Sequence, residues 1–213
     1  QKLVNREQDE EFIIAMVQRA KELGFRSTNL DLIYGLPKQT QALFAETLKQ
    51  VLEMKPGRLS VFNYAHMPQL FAAQRKIKDE DLPEAKEKMA ILQDTIETLT
   101  GAGYQFIGMD HFALPEDELA VAQREGILHR NFQGYTTQGE ADLIGFGVSA
   151  ISMVGDAYAH NHKELKKSYA QVHDLRHALW KGVVLDSDDM SVQHNDETTY
   201  DRFSAAVFDD SSI

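Results

Sequence analysis

The sequence predicts an α/β fold, the later βα units of a β/α barrel with parallel strands. Three observations lead there. Apolar patterns of helical and strand type alternate three times between Arg6 and Met109. The connections between strands are long enough for right-handed crossovers, which make successive strands parallel. The three strand exits also read alike, as YGLP, YAHMP and DHFALP, each with a turn and a proline beyond the carboxyl end. Tyr34, Tyr64, His66, Asp110 and His111 would then share one rim, the edge at which such folds bind ligands. Three strands cannot close a barrel and would leave an unpaired edge, so the missing strands are expected before Gln1.

Arg6 to Gly24 has the first helical pattern, with Phe12, Ile13, Met16, Val17, Ala20 and Leu23 on one face, acidic residues in the first turn and Gly24 as the stop. Thr28 to Tyr34 follows as a strand that puts Leu30, Leu32 and Tyr34 on one face and Asn29, Asp31 and Ile33 on the other. Asp31 is anomalous there, because a carboxylate among Leu30, Leu32 and Ile33 needs a polar cavity or a partner. Thr40 to Lys55 is a helix packed through Leu43, Phe44, Leu48, Val51 and Leu52 and closed by Pro56-Gly57; Leu59 to Tyr64 is the second strand. After a polar linker, Pro83 opens a third helix on Ala85, Met89, Leu92, Ile96 and Leu99. Tyr104 to Met109 is too short and too closely preceded by Gly101 and Gly103 for a helix, and reads as a buried strand of the parallel sheet. Asp110 and His111 end it abruptly. Two readings stand for that pair: an active-site edge, or a pair that ties the strand end to the next loop.

Beyond Pro115 the character changes. Glu116 to Glu125 reads as a short acidic helix, and His129 to Met153 as a glycine-rich covering loop in which Gly145-x-Gly147 falls short of a phosphate-binding fingerprint. Asn161 to Val172 is a further amphipathic helix, with His160 and His162 on its solvated start. From Met190 the periodicity fails, and 190–213 is expected to be disordered. The expected organisation is therefore βα units over 1–115, an extension covering the barrel mouth over 116–189, and an acidic tail over 190–213.

Composition narrows the function classes. At 213 residues and 43% hydrophobic, the chain can bury a real core. A net charge of -11 argues against nucleic-acid and anionic-membrane partners. No run approaches the ~18 apolar residues of a membrane span, and a cytoplasmic location is the expectation. The absence of cysteine excludes disulfides, zinc–thiolate sites and an iron–sulfur cluster ligated by this chain alone. The start at Gln1, close to a helix, suggests a piece of something longer.

Asp31 in LDLIYGLP, the exit FNYAH, the stretch GMDHFALPEDELAVAQREG and the segment NFQGYTTQGEADLIGFGVSAIS occur together. With these motifs the chain, from Gln1 to about Asp189, resembles the oxygen-independent coproporphyrinogen III oxidases, radical S-adenosylmethionine enzymes of haem biosynthesis. The resemblance implies the C-terminal portion of a partial (βα)6 barrel, followed by a glycine-rich segment and helix. It implies S-adenosylmethionine and a [4Fe-4S] cluster as cofactors, the cluster held by three cysteines that this chain lacks. The implied reaction is radical oxidative decarboxylation of two propionates of coproporphyrinogen III to vinyls, giving protoporphyrinogen IX. An electron donor and acceptor are the implied partners, and the complete protein is expected to be a monomer.

The family's site residues carry over by motif. Arg6 in VNREQDEE, Asp31, Ala65 at a strand exit and Ile151 match positions near bound S-adenosylmethionine, and Phe132 and Gln133 match positions beside a second molecule of it. A guanidinium suits a methionyl carboxylate, and an apolar wall suits adenine. Asp110 and His111 are substrate-pocket candidates, while the catalytic residues and any metal ligand in this chain are left unassigned. Since the cluster ligands are absent, the chain alone is expected to be inactive. Three rival readings remain: a non-catalytic haem-carrying chaperone of the same superfamily, a metal-dependent barrel hydrolase using Asp31, His66, Asp110 and His111, and an inactive folded fragment.

Overall fold

In the computed structural model the described residues are 2–131, 134–139, 141–175 and 177–185. Phe132, Gln133 and the tail 190–213, all singled out in the sequence, lie outside them. The chain divides into two compact units, between Leu128 and His129.

The first unit begins with a 3-10 turn, Lys2–Val4, and helix α1, Glu10–Glu22. Asp9 sets the start of α1, later than the pattern from Arg6 suggested, because its carboxylate accepts from the Phe12 amide at 2.9 Å. Strand β1 (Asn29–Tyr34), helix α2 (Gln41–Met54), strand β2 (Arg58–Asn63) and helix α3 (Ala85–Gly101) follow the predicted order. Thr40 caps α2 by accepting from Leu43, and Lys55 ends it in the left-handed region at φ 48°. Gly57 follows Pro56, and any Cβ there would collide with the Ser27 hydroxyl.

β1 and β2 pair in parallel, as the long crossover requires. The next strand departs from expectation. Strand β3 (Gln105–Gly108) turns sharply at Met109-Asp110 into a three-residue strand β4 (His111–Ala113), giving the sheet order β1-β2-β4-β3. β4 is antiparallel to both of its neighbours, so β3 is not laid directly against β2 as a parallel partner. Backbone conformation explains the reversal. Gly108 at φ 141° and Met109 at φ 49° turn the chain back, and the register shifts between Phe106 and Gly108. The Asp110 carbonyl accepts from the Val61 amide at 2.7 Å, and the Leu114 amide donates to Gly57 at 2.9 Å, so the hairpin is stitched along β2 at both ends.

The core lies on one face of this sheet, where Tyr34, Leu59, Val61 and Phe112 meet Phe44, Leu48 and Val51 of α2 and Ile91 and Leu99 of α3. Tyr104 joins it, with its hydroxyl donating to the Pro56 carbonyl at 2.7 Å. Burial, followed by the nearby Glu116 carboxylate, pushes this phenol up to about 12. The apolar stripe of α1 is only partly covered: Val17 is buried, whereas Phe12, Met16 and Leu23 are exposed, contrary to the single packed face predicted. Helix α4 (Glu118–Glu125) closes the unit. Its cap, Asp117, accepts from the Leu119 amide, from Ser27 Oγ at 2.8 Å and from Arg58 Nε through both oxygens at 2.8 and 2.9 Å.

The second unit is largely β where a loop was expected. Strands β5 (His129–Asn131) and β6 (Gly134–Thr136) pair antiparallel. Strands β7 (Ile151–Val154), β8 (Ala157–Asn161) and β9 (Leu179–Val184) form a three-stranded antiparallel sheet, with helix α5 (Leu165–Leu175) between β8 and β9. Gly145 is where the chain crosses β7, and a Cβ there would stand 2.5 Å from the Ile151 carbonyl oxygen. Close approach to a strand accounts for this glycine. His160 is 3% exposed inside β8 rather than solvated at a helix start, because that helix begins four residues later than its pattern suggested.

Candidate functional site

Paired residues on neighbouring strands project to the same face of a sheet. Register pairs Asp31 with Ser60 across β1–β2, and Ser60 with His111 across β2–β4. Asp31, Ser60 and His111 therefore form one polar row across three strands, on the face opposite the apolar core. Two strand spacings separate the ends of the row, roughly 10 Å. The sequence supplied the ends of this row but not its centre.

Asn29 fixes the Asp31 end. Its Nδ2 donates to Asp31 Oδ1 at 2.6 Å, and its Oδ1 accepts from Ser60 Oγ at 3.3 Å. Asp31 is exposed, and this answers the anomaly of a mid-strand carboxylate: the charge stays in water with one side-chain donor and is available to a ligand amine or hydroxyl. At the other end the Phe62 ring meets the His111 imidazole edge-on, with centroids 6.1 Å apart. Asp110 sits half-buried in the hairpin turn, not in a loop past a parallel strand. Burial, and secondarily the charge of Asp110, raises the Tyr34 phenol above its ordinary value.

The exit of β2 is held by a residue that the sequence did not single out. Gln74 donates from Nε2 to the Ala65 carbonyl at 3.0 Å and accepts from the Met67 amide at 2.5 Å. Ala65 is thus an exposed, small residue on a pinned backbone. Near it, the Tyr64 and His66 rings lie 6.1 Å apart, and His66 Nε2 approaches Asp79 at 3.4 Å. Arg6 is exposed between the first 3-10 turn and α1. Ile151 opens β7 in the second unit, part-buried opposite His160.

Among the described residues, no group of three or more His, Cys, Asp or Glu could hold a metal ion. Asp31, His66, Asp110 and His111 do not assemble as ligands, so the hydrolase arrangement loses its support. An iron–sulfur cluster does not fit this chain's residues either, since there is no thiolate to bind it. The exposed Asp31 carboxylate, oriented by Asn29, presents acceptors of the kind that a ligand amine or hydroxyl requires. Among the described residues, no helix is long and apolar enough to cross a membrane.

Comparison with known proteins gives a consistent picture. The chain is 70% identical over 189 residues to the oxygen-independent coproporphyrinogen III oxidase of Salmonella typhimurium, and 69% identical over the same length to that of Escherichia coli. The Pseudomonas aeruginosa protein of the same name is 52% identical over 189 residues. These alignments take in 89% of this chain and 41% of each relative, so the chain spans less than half the length of the curated relatives it matches. A solved structure, described as coproporphyrinogen III oxidase (HemN) from Escherichia coli, a radical SAM enzyme, superposes with a TM-score of 0.89 at 61% identity. It covers 98% of this chain and 51% of that one. No family model matches the chain.

Proposed function

We infer that this chain belongs to the oxygen-independent coproporphyrinogen III oxidases and forms the later part of their radical S-adenosylmethionine barrel. We propose that, within a complete enzyme, it takes part in converting coproporphyrinogen III to protoporphyrinogen IX by oxidative decarboxylation of two propionates. The observation that carries this reading is the 70% identity sustained over 189 residues with an enzyme of that name.

In this reading the β1–β2 pair belongs to the parallel sheet of a partial (βα)6 barrel, and the segment after Pro115 is the family-specific extension. S-adenosylmethionine, when bound, supplies the radical chemistry, and the protein's part is to hold and orient it. Asp31 accepts from the ligand's amine or hydroxyls while Asn29 fixes its rotamer. Arg6 pairs with the methionyl carboxylate, Ala65 permits close approach at the β2 exit, and Ile151 offers an apolar wall. Phe132 and Gln133 are proposed beside a second molecule of the cofactor. His111, with Phe62 against its ring, and Asp110 shape the substrate pocket. The working enzyme is proposed to be a cytoplasmic monomer served by an electron donor and an acceptor, and its net charge disfavours nucleic-acid partners.

The test is to replace the matched segment of the Salmonella typhimurium relative with residues 1–189 of this chain, reconstitute the cluster without oxygen, and assay coproporphyrinogen III. The expected result is turnover by the chimera and none by the isolated chain, which offers no cysteine to a cluster. A folded, cluster-bearing chimera that leaves the substrate unchanged would overturn the reading.

A further inference from the structure

The stretch Ala157 to Leu185 runs against the charge of the whole. It holds five basic and two acidic residues and four of the eight histidines in a chain of net charge -11. The sheet of the second unit gathers part of this charge around the chain's only tryptophan. Lys181 Nζ lies 4.6 Å from the Trp180 ring centroid and Lys163 Nζ 5.1 Å. The His160 and His162 rings stand 5.6 and 6.4 Å from the same indole.

A β-bulge builds this cluster. His160 pairs with Lys181, but Asn161 pairs with Leu179, so Trp180 is the extra residue of β9 and is re-aimed by the local twist. On the same row Ile151 pairs with His160, and His160 with Lys181. The basic cluster and the proposed cofactor-contact residue thus share one face of the sheet. The two ammonium groups give this side of the indole a positive field that attracts an anion. Lys181 forms no ion pair with any described residue.

We propose that Lys163, Lys181 and His162 around Trp180 form a carboxylate-binding site that takes a propionate of the tetrapyrrole substrate. The proposal rests on the function inferred above. The indole supplies a flat apolar surface of the kind a pyrrole ring packs against, and the lysines supply the charge that its acid side chains require. The methionyl carboxylate of S-adenosylmethionine has the same chemistry and is the other possible occupant.

Trp180 is this chain's only tryptophan, so once every tryptophan contributed by the relative is replaced with phenylalanine, emission reports on its site. In the chimera described above, coproporphyrin III, its tetramethyl ester and S-adenosylmethionine are titrated in turn against Trp180 fluorescence. The expected result is saturable quenching by the tetra-acid, weaker binding of the ester, and about a tenfold loss of tetra-acid affinity in Lys181→Gln and in Lys163→Gln. Lys181→Arg restores binding, which a purely structural role for the lysine would not produce. If S-adenosylmethionine affinity falls in the lysine variants while tetra-acid affinity stays, the assignment to substrate is overturned. Equal affinity of ester and acid, or unchanged affinities throughout in a chimera that still turns over, overturns the site and leaves the family reading standing. A chimera that neither binds the tetra-acid nor turns over removes both.

Discussion

Replacing Asp31 with alanine separates binding from folding. Asp31 is exposed, and its side chain accepts one described hydrogen bond, the 2.6 Å contact from Asn29. A solvent-facing contact of this kind contributes about 0.5–1 kcal/mol to folding, and Asn29 can turn to water once it is lost. The same carboxylate accepting from a ligand ammonium is worth more, about 1.5–3 kcal/mol, because both partners are then charged. Asp31→Ala should therefore weaken S-adenosylmethionine binding about 10- to 100-fold while lowering the unfolding free energy by less than about 1 kcal/mol. Asp31→Asn should lose less, since its amide oxygen still accepts. Equilibrium binding to the cluster-bearing chimera, together with urea unfolding of each variant, measures both quantities. Unchanged affinity in a folded Asp31→Ala protein would refute the reasoning, and so would a stability loss large enough to account for the binding defect.

Two further outcomes concern the scaffold. Asp117 is buried and anchors Arg58, Ser27 and the first turn of α4 at once, so Asp117→Ala strands a largely buried guanidinium with Glu118 as its remaining partner. The expected cost is about 3–5 kcal/mol in urea unfolding, and a loss under about 1 kcal/mol would show that the network is slack. Tyr104 gives an alkaline signature. Its folded value near 12 lies above the ordinary 10, so the stability it confers is complete below pH 10 and is lost as the pH rises through 12. The loss is on the order of 3 kcal/mol, and Tyr104→Phe should flatten that part of the pH–stability curve. A curve unchanged in shape would contradict the assignment.

The order of the first five elements was legible because each carries a long period and an explicit stop. Asp31 was legible because a charge in mid-strand is visible as a violation. The hairpin was not. β4 is three residues long, too short for a period, and its turn runs through Gly108 and a non-glycine left-handed residue, Met109, rather than a recognisable hairpin dipeptide. Without the hairpin, His111 could not be placed beside Ser60, since register is a pairing property and leaves no mark on one strand alone. Gln74 was hidden for a similar reason: its role depends on a loop folding back to the β2 exit. In the second unit, the three-residue strands β5 and β6 and most of β7, set among glycines, read as loop, β8 and β9 drew no strand reading, and His160 was assigned to solvent when its strand buries it. The chemistry of this chain is carried by long motifs more than by periodicity, and for that reason family resemblance reached further than pattern.

The most direct test of the account is the product formed by the reconstituted chimera. Anaerobic incubation with S-adenosylmethionine, reductant and coproporphyrinogen III, followed by mass analysis of the tetrapyrrole, should show two propionates replaced by vinyls, with carbon dioxide released in proportion. Recovery of intact coproporphyrinogen III from a folded, cluster-bearing chimera that binds S-adenosylmethionine would contradict the account.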